Sequence, residues 1–509
     1  MPKDLVIGID SSTTATKAIA WNAAGEAIAE GRAPVPLLNP HPGFFEQNPA
    51  DWWSAAVTAL KQVTAAADPA RIAAIGISNQ RETCGFFDER GEAIRPGMLW
   101  LDERAKAQVR DFAASFGAER IRAISGKPPD VTPALYKYIW LKENEPDIWR
   151  RAPRIADVHG FLTFKLTRNW ITSTASADPQ GILDMGRMDW SDELLGAIGL
   201  KREQLCKLQR PGSVTGEVQA SAARETGLIA GTPVVAAGGD GQCAGTGTNA
   251  LKRGRAYVNL GTALVSGNFG EAYAHDPAFR TMSAVAESGY IYESCLRTGT
   301  FLIDWIVREL FQVDPKNDPA IFKTLEAEAA AAPIGANGLV LVPYWSGCMT
   351  PYWDTGARGL FAGFTSAHRR GDVYRALLEG IALDQAMVTD RIAVATKLPI
   401  EHYVAIGGGA SSDLWCDILA NASQRPVHRL ATVEASSLGA AMAASVGAGW
   451  HKSVAEAAAA MAGKPVRSFG PDGKRAARYR QLLDIYKDLW PAVSDWNRRL
   501  ASFAESTHA

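Results

Sequence analysis

The first twenty residues set an apolar run against a hydroxyl-rich break. Val6-Ile7-Gly8-Ile9 is followed by Asp10-Ser11-Ser12-Thr13-Thr14, and Ala15 to Trp21 then returns to a largely apolar pattern. This predicts a buried strand, a polar turn and a returning strand. A second turn at Asn22-Ala23-Ala24-Gly25-Glu26, followed by Ala27-Ile28-Ala29-Glu30-Gly31, extends the antiparallel edge. From Asp51 to Ala66, the residues Trp52, Trp53, Ala56, Leu60 and Val63 recur near helical spacing and predict a helix with one apolar stripe. Ile72 to Ile77 is a continuous apolar run of strand length. Ser78 to Thr83 then fall at its carboxyl end, where α/β sheets commonly hold ligand groups.

The second half repeats this plan. Pro233 to Ala237 predicts a strand that leads through Gly238-Gly239-Asp240-Gly241-Gln242 into a helix of small residues. Ala256 to Leu260, the turn Gly261-Thr262-Ala263 and Leu264 to Ser266 echo the first hairpin. A helix over about 371–388 precedes the strand His402 to Ile406 and a tight turn, Gly407 to Ala410. Ser411-Ser412-Asp413 can then cap the following helix. The alternation argues for α/β architecture, and the echoes suggest internal duplication. We place the division near residues 245–256, giving domains over 1–250 and 251–509, with the two polar turns on opposite walls of a cleft.

A chain of 509 residues, 47% of them hydrophobic, exceeds the usual limit of a single core and favours two or three domains. The formal net charge of -1 gives no global reason for a polyanionic partner, so any phosphate recognition must be local. Cysteines 84, 206, 243, 295, 348 and 416 are scattered without a CxxC pair, against a zinc module or a disulfide-knit domain. The start at Met1-Pro2-Lys3-Asp4 has too short an apolar stretch for a signal peptide. The uncharged run from Ala329 to Trp353 is broken by Pro333, Pro343 and Pro351, which makes a poor membrane helix. The expectation is a reduced, soluble, cytoplasmic protein without a membrane partner. Trp52, Trp53 and the apolar residues from Leu482 to Trp490 fit packing faces better than stacking platforms. Lys474, Arg475, Arg478 and Arg480 read as a solvated face, so nucleic acid is not an expected partner.

Each polar signal has a chemical and a structural reading. Asp10, at the end of a strand, either faces a metal ion or organises its turn. The neighbouring N–H groups and the hydroxyls of Ser12, Thr13 and Thr14 suit phosphate. Asp240 is either a proton acceptor or the cap of the helix after it. Arg81 and Glu82 offer a donor fork and acceptors for a polyhydroxylated ligand, or form a surface pair. Lys17 reads as a solvating or structural residue of the returning strand. His41 reads as a loop organiser, with no adjacent carboxylate that would make it a proton-transfer group.

Several separated motifs, in order, resemble the FGGY family of carbohydrate kinases over nearly the whole chain. They are Gly8-Ile9-Asp10-Ser11-Ser12-Thr13-Thr14, His41-Pro42-Gly43-Phe44-Phe45-Glu46-Gln47, Ile77-Ser78-Asn79-Gln80-Arg81-Glu82 and Gly238-Gly239-Asp240. Ala357-Arg358-Gly359, Gly407-Gly408-Gly409-Ala410 and Glu434-Ala435-Ser436-Ser437-Leu438-Gly439-Ala440-Ala441 complete the set. The resemblance implies two actin-like, ribonuclease-H-like α/β domains closing around a central cleft, and transfer of the ATP γ-phosphoryl group to a sugar or polyol hydroxyl. It assigns Asp10 to Mg²⁺ and Ser12, Thr13, Thr14, Gly261 and Thr262 to the ATP phosphates. Gly408, Gly409 and Ala410 fall near the α-phosphate and adenosine, and Ser412 or Asp413 to the nucleoside wall, with a helix cap as the other reading of Asp413. Gln80, Arg81 and Glu82 fall to the acceptor, and Asp240 is the general base that also contacts it.

Substrate signals are mixed. Asn79-Gln80-Arg81-Glu82-Thr83 is similar to glycerol-kinase members, but Pro128-Pro129-Asp130-Val131-Thr132-Pro133 stands where those members carry a tyrosine-containing segment. Trp140 to Pro146, Ala357 to Gly363 and Gly409 to Trp415 are more similar to xylulokinases. D-xylulose or another ketopentose therefore ranks above glycerol or another short polyol. The different-class reading is an actin-like nucleotide switch, which the Asp240 and Arg81-Glu82 set disfavours. A homodimer is the remaining expected partner.

Overall fold

Two mixed sheets with a shared pattern of strand pairing organise the chain. The computed structural model describes residues 3–431 and 434–506, so the Met1-Pro2 start lies outside them. The first sheet contains β1 (Leu5–Ser11), β2 (Ala15–Trp21), β3 (Ala27–Pro34), β4 (Ile72–Asn79), β5 (Val214–Glu217) and β6 (Pro233–Gly239), in the spatial order β5-β6-β4-β1-β2-β3. β1, β4 and β6 run parallel, while the other pairings are antiparallel. All eight residues of β4 are buried, as expected of a central parallel strand covered on both faces.

The second sheet contains β7 (Arg255–Leu260), β8 (Leu264–Gly270), β9 (Arg280–Ser283), β10 (Tyr290–Leu296), β11 (His402–Ile406), β12 (Val427–Leu430) and β13 (Pro465–Phe469). Their order is β9-β10-β8-β7-β11-β12-β13, with β7, β11 and β12 parallel. Without β9, this sheet repeats the pairing directions of the first and the order of its first four strands, while the two strands at the far edge come in the opposite chain order. The duplication is thus visible in topology, and β9 is the added strand.

The helices follow from local signals. α1 (Pro49–Ala66) starts with proline at its first position and buries Trp52, Trp53, Ala56, Leu60 and Val63. α2 (Asp240–Gly247) follows β6 directly. α3 (Arg370–Thr396) is longer than the apolar pattern suggested, and α4 (Asp413–Ser423) is capped by Ser412, whose Oγ accepts from the Trp415 N–H at 3.0 Å. α5 (Ala435–Gly447) carries chiefly small residues, and α6 (Gly473–Ser506) is the last helix. Among the described residues, no helix is long and apolar enough to cross a membrane.

α5 comes late in the chain but packs on β1, β4 and β6 of the first sheet, beside α2. A division at residue 250 by chain position is therefore not a division in space. Small side chains allow the contact. A Cβ on Gly8 would lie 1.9 Å from the Ser437 carbonyl oxygen, and one on Gly76 would lie 2.0 Å from that of Ala440. Polar ties add direction. Ser437 Oγ donates to the Gly8 carbonyl at 2.9 Å and accepts from Trp21 Nε1 at 3.1 Å, while Lys17 Nζ meets Glu434 at 2.6 Å. Lys17 is thus structural, joining the first hairpin to the entry of α5.

Gly76→Ala is expected to force β4 and α5 apart and lower unfolding stability by about 1–3 kcal/mol or more. Urea denaturation of the variant measures this; an unchanged midpoint would mean that the contact is not tightly constrained.

Candidate functional site

The first hairpin, the β4 loop and the start of α2 converge at the carboxyl ends of β1, β4 and β6. Pairing places Asp10 beside Ser78, and Ser78 Oγ donates to Asp10 Oδ1 at 3.0 Å. Burial, and then the nearby charge of Asp240, pushes the Asp10 carboxyl up to about 7. In the adjoining turn, Ser12 Oγ donates to the Ala15 carbonyl at 2.8 Å. Ser12 therefore closes the hairpin with the hydroxyl that was assigned to phosphate. Thr13 Oγ1 accepts from Trp100 Nε1 at 2.9 Å, which leaves its own O–H to donate, and Thr14 is exposed.

A cavity of about 260 Å³ lies between the halves, lined by Thr13, Arg81, Glu82, Trp100, Thr132 and Asp240 from one side. Gly261, Thr262, Val265, Arg280, Cys295 and Met349 are among its lining residues from the other. Asp240 is the first residue of α2, while Gly239 occupies the cap position. Asp240 Oδ1 accepts from the Gly241 N–H at 2.7 Å and meets Arg81 Nε at 3.1 Å. Oδ2 carries no hydrogen bond among the described residues. Burial raises the Asp240 carboxyl above the ordinary range, and the Arg81 guanidinium opposes that rise.

An alternating chain of charges runs from Asp240 through the site. Arg81 Nη1 donates to Glu293 at 2.8 and 3.0 Å; Arg280 Nε donates to Glu293 Oε1 at 2.7 Å; Arg280 Nη1 donates to Glu82 Oε1, also at 2.7 Å. Tyr257 O–H adds a bond to Glu293 Oε2 at 2.9 Å. Burial alone would raise the Glu293 pKa, yet the Arg81 and Arg280 guanidiniums hold it at about 2. Glu82 sits at φ 57°, an uncommon conformation for a residue with a side chain, within the loop that turns this carboxylate toward Arg280.

A second cavity, of about 620 Å³, adjoins the first at Thr262. Gly408, Gly409, Ser411, Ser412 and Trp415 form one part of it, and Thr300, Phe301, Tyr374 and Glu326 another. Gly261 and Thr262 are fixed by main-chain bonds: their carbonyls accept from the Thr300 and Gly299 N–H groups, each at 2.8 Å.

Three expectations need correction. Gln80 is buried and absent from the cavity lining; its amide donates to Gln47 Oε1 at 2.8 Å and accepts from Thr83 Oγ1 at 3.1 Å. Its bonds point to support of the loop, because its amide is already engaged within the protein. Ala410 is also buried, and its carbonyl accepts from Arg429 Nη1 at 3.0 Å. Asp413 is drawn away from the larger cavity by Arg429, at 3.0 Å, and by Arg467. Neither residue lines that cavity.

Sequence reasoning missed Arg280, Glu293, Tyr257 and Trp100. A signal existed for Glu293, the single charge in β10, all seven residues of which are buried. His41 is exposed, and its loop is closed by Asn39, whose Nδ2 donates to the His41 and Phe44 carbonyls at 3.1 and 2.7 Å, while the buried Gln47 follows the loop. Gln47 donates to the Thr13 carbonyl at 2.7 Å and accepts from Trp52 Nε1 at 2.9 Å and from Gln80.

Two duplicated halves, a cavity between them with a carboxylate at its wall, and an adjoining cavity within the second half fit the actin-like class of phosphotransferases. The N-terminal domain model of the FGGY family of carbohydrate kinases matches residues 5–247, and the C-terminal domain model matches residues 242–448. The chain belongs to that family and is an ATP-dependent kinase acting on an alcohol group of a small sugar or polyol. It is 28% identical to the xylulose kinase of Bacillus subtilis, over 98% of this chain and 99% of the relative. It is 29% identical to the glycerol kinase of Thermococcus gammatolerans, over 89% and 90% of the two chains. The crystal structure of gluconate kinase from Lactobacillus acidophilus superposes with a TM-score of 0.90 at 26% identity, covering 96% of this chain and 98% of that one.

A pH test follows from Asp10. Its folded-state pKa is raised from 3.8 to about 7, so the folded protein holds a proton that the unfolded chain releases earlier. The associated stability is fully present below about 3.8 and is lost as pH rises through about 7. Without added metal, Asp10→Asn is expected to gain thermal stability relative to wild type between pH 5 and pH 8. Parallel melting-temperature profiles for the two proteins would contradict this assignment.

Proposed function

We propose that the chain transfers the ATP γ-phosphoryl group to a hydroxyl of D-xylulose or another ketopentose, with Asp240 as general base. The observation that carries this reading is the Asp240 carboxylate at the smaller cavity, one oxygen held and the other without a partner among the described residues, next to a larger cavity across Thr262. Asp240 Oδ2 takes the proton as the acceptor oxygen attacks. Thr13 on one wall and the Gly261-Thr262 turn on the other offer donors to the phosphates between them. The aromatic and glycine-lined second cavity suits the nucleoside.

The donor set at Asp10 fits Mg²⁺. No cluster of three or more acidic, histidine or cysteine ligands occurs among the described residues. A single carboxylate beside a hydroxyl suits an ion that keeps waters and takes its other oxygens from phosphate. When bound, Mg²⁺ supplies charge neutralisation of the phosphate oxygens. Asp10 orients it, and Ser78 orients Asp10.

Charge and wall composition support a neutral acceptor. Three carboxylates, Asp240, Glu82 and Glu293, face two guanidiniums, Arg81 and Arg280, which disfavours a sugar acid. The Thr132 segment, which departs from the glycerol-kinase-like pattern, lines the acceptor cavity. The Asn79-Gln80-Arg81-Glu82-Thr83 loop and the Thermococcus relative favour glycerol as the second reading. Initial rates with D-xylulose, other pentuloses, tetritols and glycerol separate the two.

Two outcomes test the chemistry. Asp240→Asn keeps the side-chain size but removes the basicity, so single-turnover phosphorylation is expected to fall by about 10²-fold or more with ATP affinity little changed. Near-native turnover in the folded variant would remove Asp240 from the role of base. Chelation of divalent ions is expected to abolish product formation and Mg²⁺ to restore it; undiminished turnover in metal-free buffer would overturn the assignment at Asp10.

A further inference from the structure

We infer that Arg280 is a specificity-determining residue, donating a hydrogen bond to a neutral oxygen of the acceptor remote from the hydroxyl that is phosphorylated. The inference rests on the kinase reading above and adds the residue that reads the far end of the substrate. Arg280 opens β9, the strand that the second sheet has in excess of the first. It lines the smaller cavity although only 6% of its surface is exposed. The added strand thus carries a guanidinium from the second half into the acceptor site.

Its geometry leaves one donor group over. Nε is taken by Glu293 and Nη1 by Glu82, each at 2.7 Å, while Nη2 has no hydrogen-bond partner among the described residues. Two carboxylates already balance the charge of this guanidinium, so the free N–H groups suit a carbonyl or hydroxyl oxygen better than a second anion. The planar fork is fixed at two of its three nitrogens, so little freedom remains to be lost on binding.

Position along the ion chain gives the polarity of the site. Asp240 lies at one end, held by Arg81, and Arg280 is reached only through Glu293. An acceptor whose reacting hydroxyl meets Asp240 then presents a different oxygen to Arg280. The recognised class is a neutral polyol or ketose long enough to offer oxygens at both places.

The experiment begins with wild-type rates across pentuloses, pentitols, tetritols and glycerol, which identify the best acceptor and test the proposed substrate by themselves. Arg280→Lys, which keeps the charge, and Arg280→Gln are then compared with wild type on that acceptor and on the truncated analogue that wild type still turns over best. Calorimetric acceptor titration accompanies turnover, and thermal unfolding confirms that at least one variant is folded. Loss of a charged donor predicts a fall in kcat/KM and acceptor affinity of about 10- to 100-fold on the best acceptor. The fall on the truncated analogue should stay under about 2-fold, with an unchanged KM for ATP. Equal losses on both acceptors would reduce Arg280 to a structural ion-pair partner, and undiminished use of the best acceptor would place its recognition elsewhere. Either result overturns the inference whichever acceptor proves to be the substrate.

Discussion

Glu293 is the carboxylate on which the charged wall of the smaller cavity depends. It is fully buried, it neutralises Arg81 from the first half and Arg280 from the second, and it accepts from Tyr257. A buried carboxylate without partners is strongly disfavoured, whereas here multiple charge-assisted bonds keep it ionised at about 2. Replacing it would leave two guanidiniums facing one another, with Asp240 and Glu82 as their remaining counter-charges. The position of the Asp240 carboxylate is therefore set partly from the opposite half of the molecule.

Close packing gives that electrostatic arrangement a rigid base. α5 meets the first sheet at glycines, and Ser436 Oγ donates to the Asp240 carbonyl at 3.1 Å. The same helix that fills the space behind β1 and β4 thus also ties down the residue proposed as base. Small residues serve here because backbone-to-backbone approach leaves no volume for larger side chains. Precision at the site then comes from strands and a helix, with one strained position at Glu82 in the connecting loop.

The two cavities differ in composition, in keeping with the proposed division of acceptor and nucleotide. The smaller is ringed by charges and hydroxyls and joins both halves, as binding of a polyhydroxylated acceptor requires. The larger has aromatic walls and the glycines of the turn before α4, which admit a flat base and phosphates close to the main chain. Thr262 belongs to both, so the second hairpin marks the boundary between the two cavities.

The duplicated α/β plan, the two polar hairpins, and the strand-end positions of Asp10, Asp240 and the Arg81-Glu82 pair were legible in the sequence. Strand period, turn chemistry and motif order are local properties that a linear chain displays. The roles of Gln80, Ala410 and Asp413 were not, because neighbours distant in sequence decide where a side chain turns: Gln47 engages the first, and Arg429 and Arg467 draw on the others. Arg280 and Glu293 were invisible as site residues for the same reason, although a lone glutamate in the apolar run of β10 marked a buried charge that needed partners. The sequence by itself determined which elements form and which residue types sit at their ends. Only the tertiary structure decided which charges meet across the cleft, since ion pairing in a dry interior depends on distances that exist only once the two sheets and α5 are packed together.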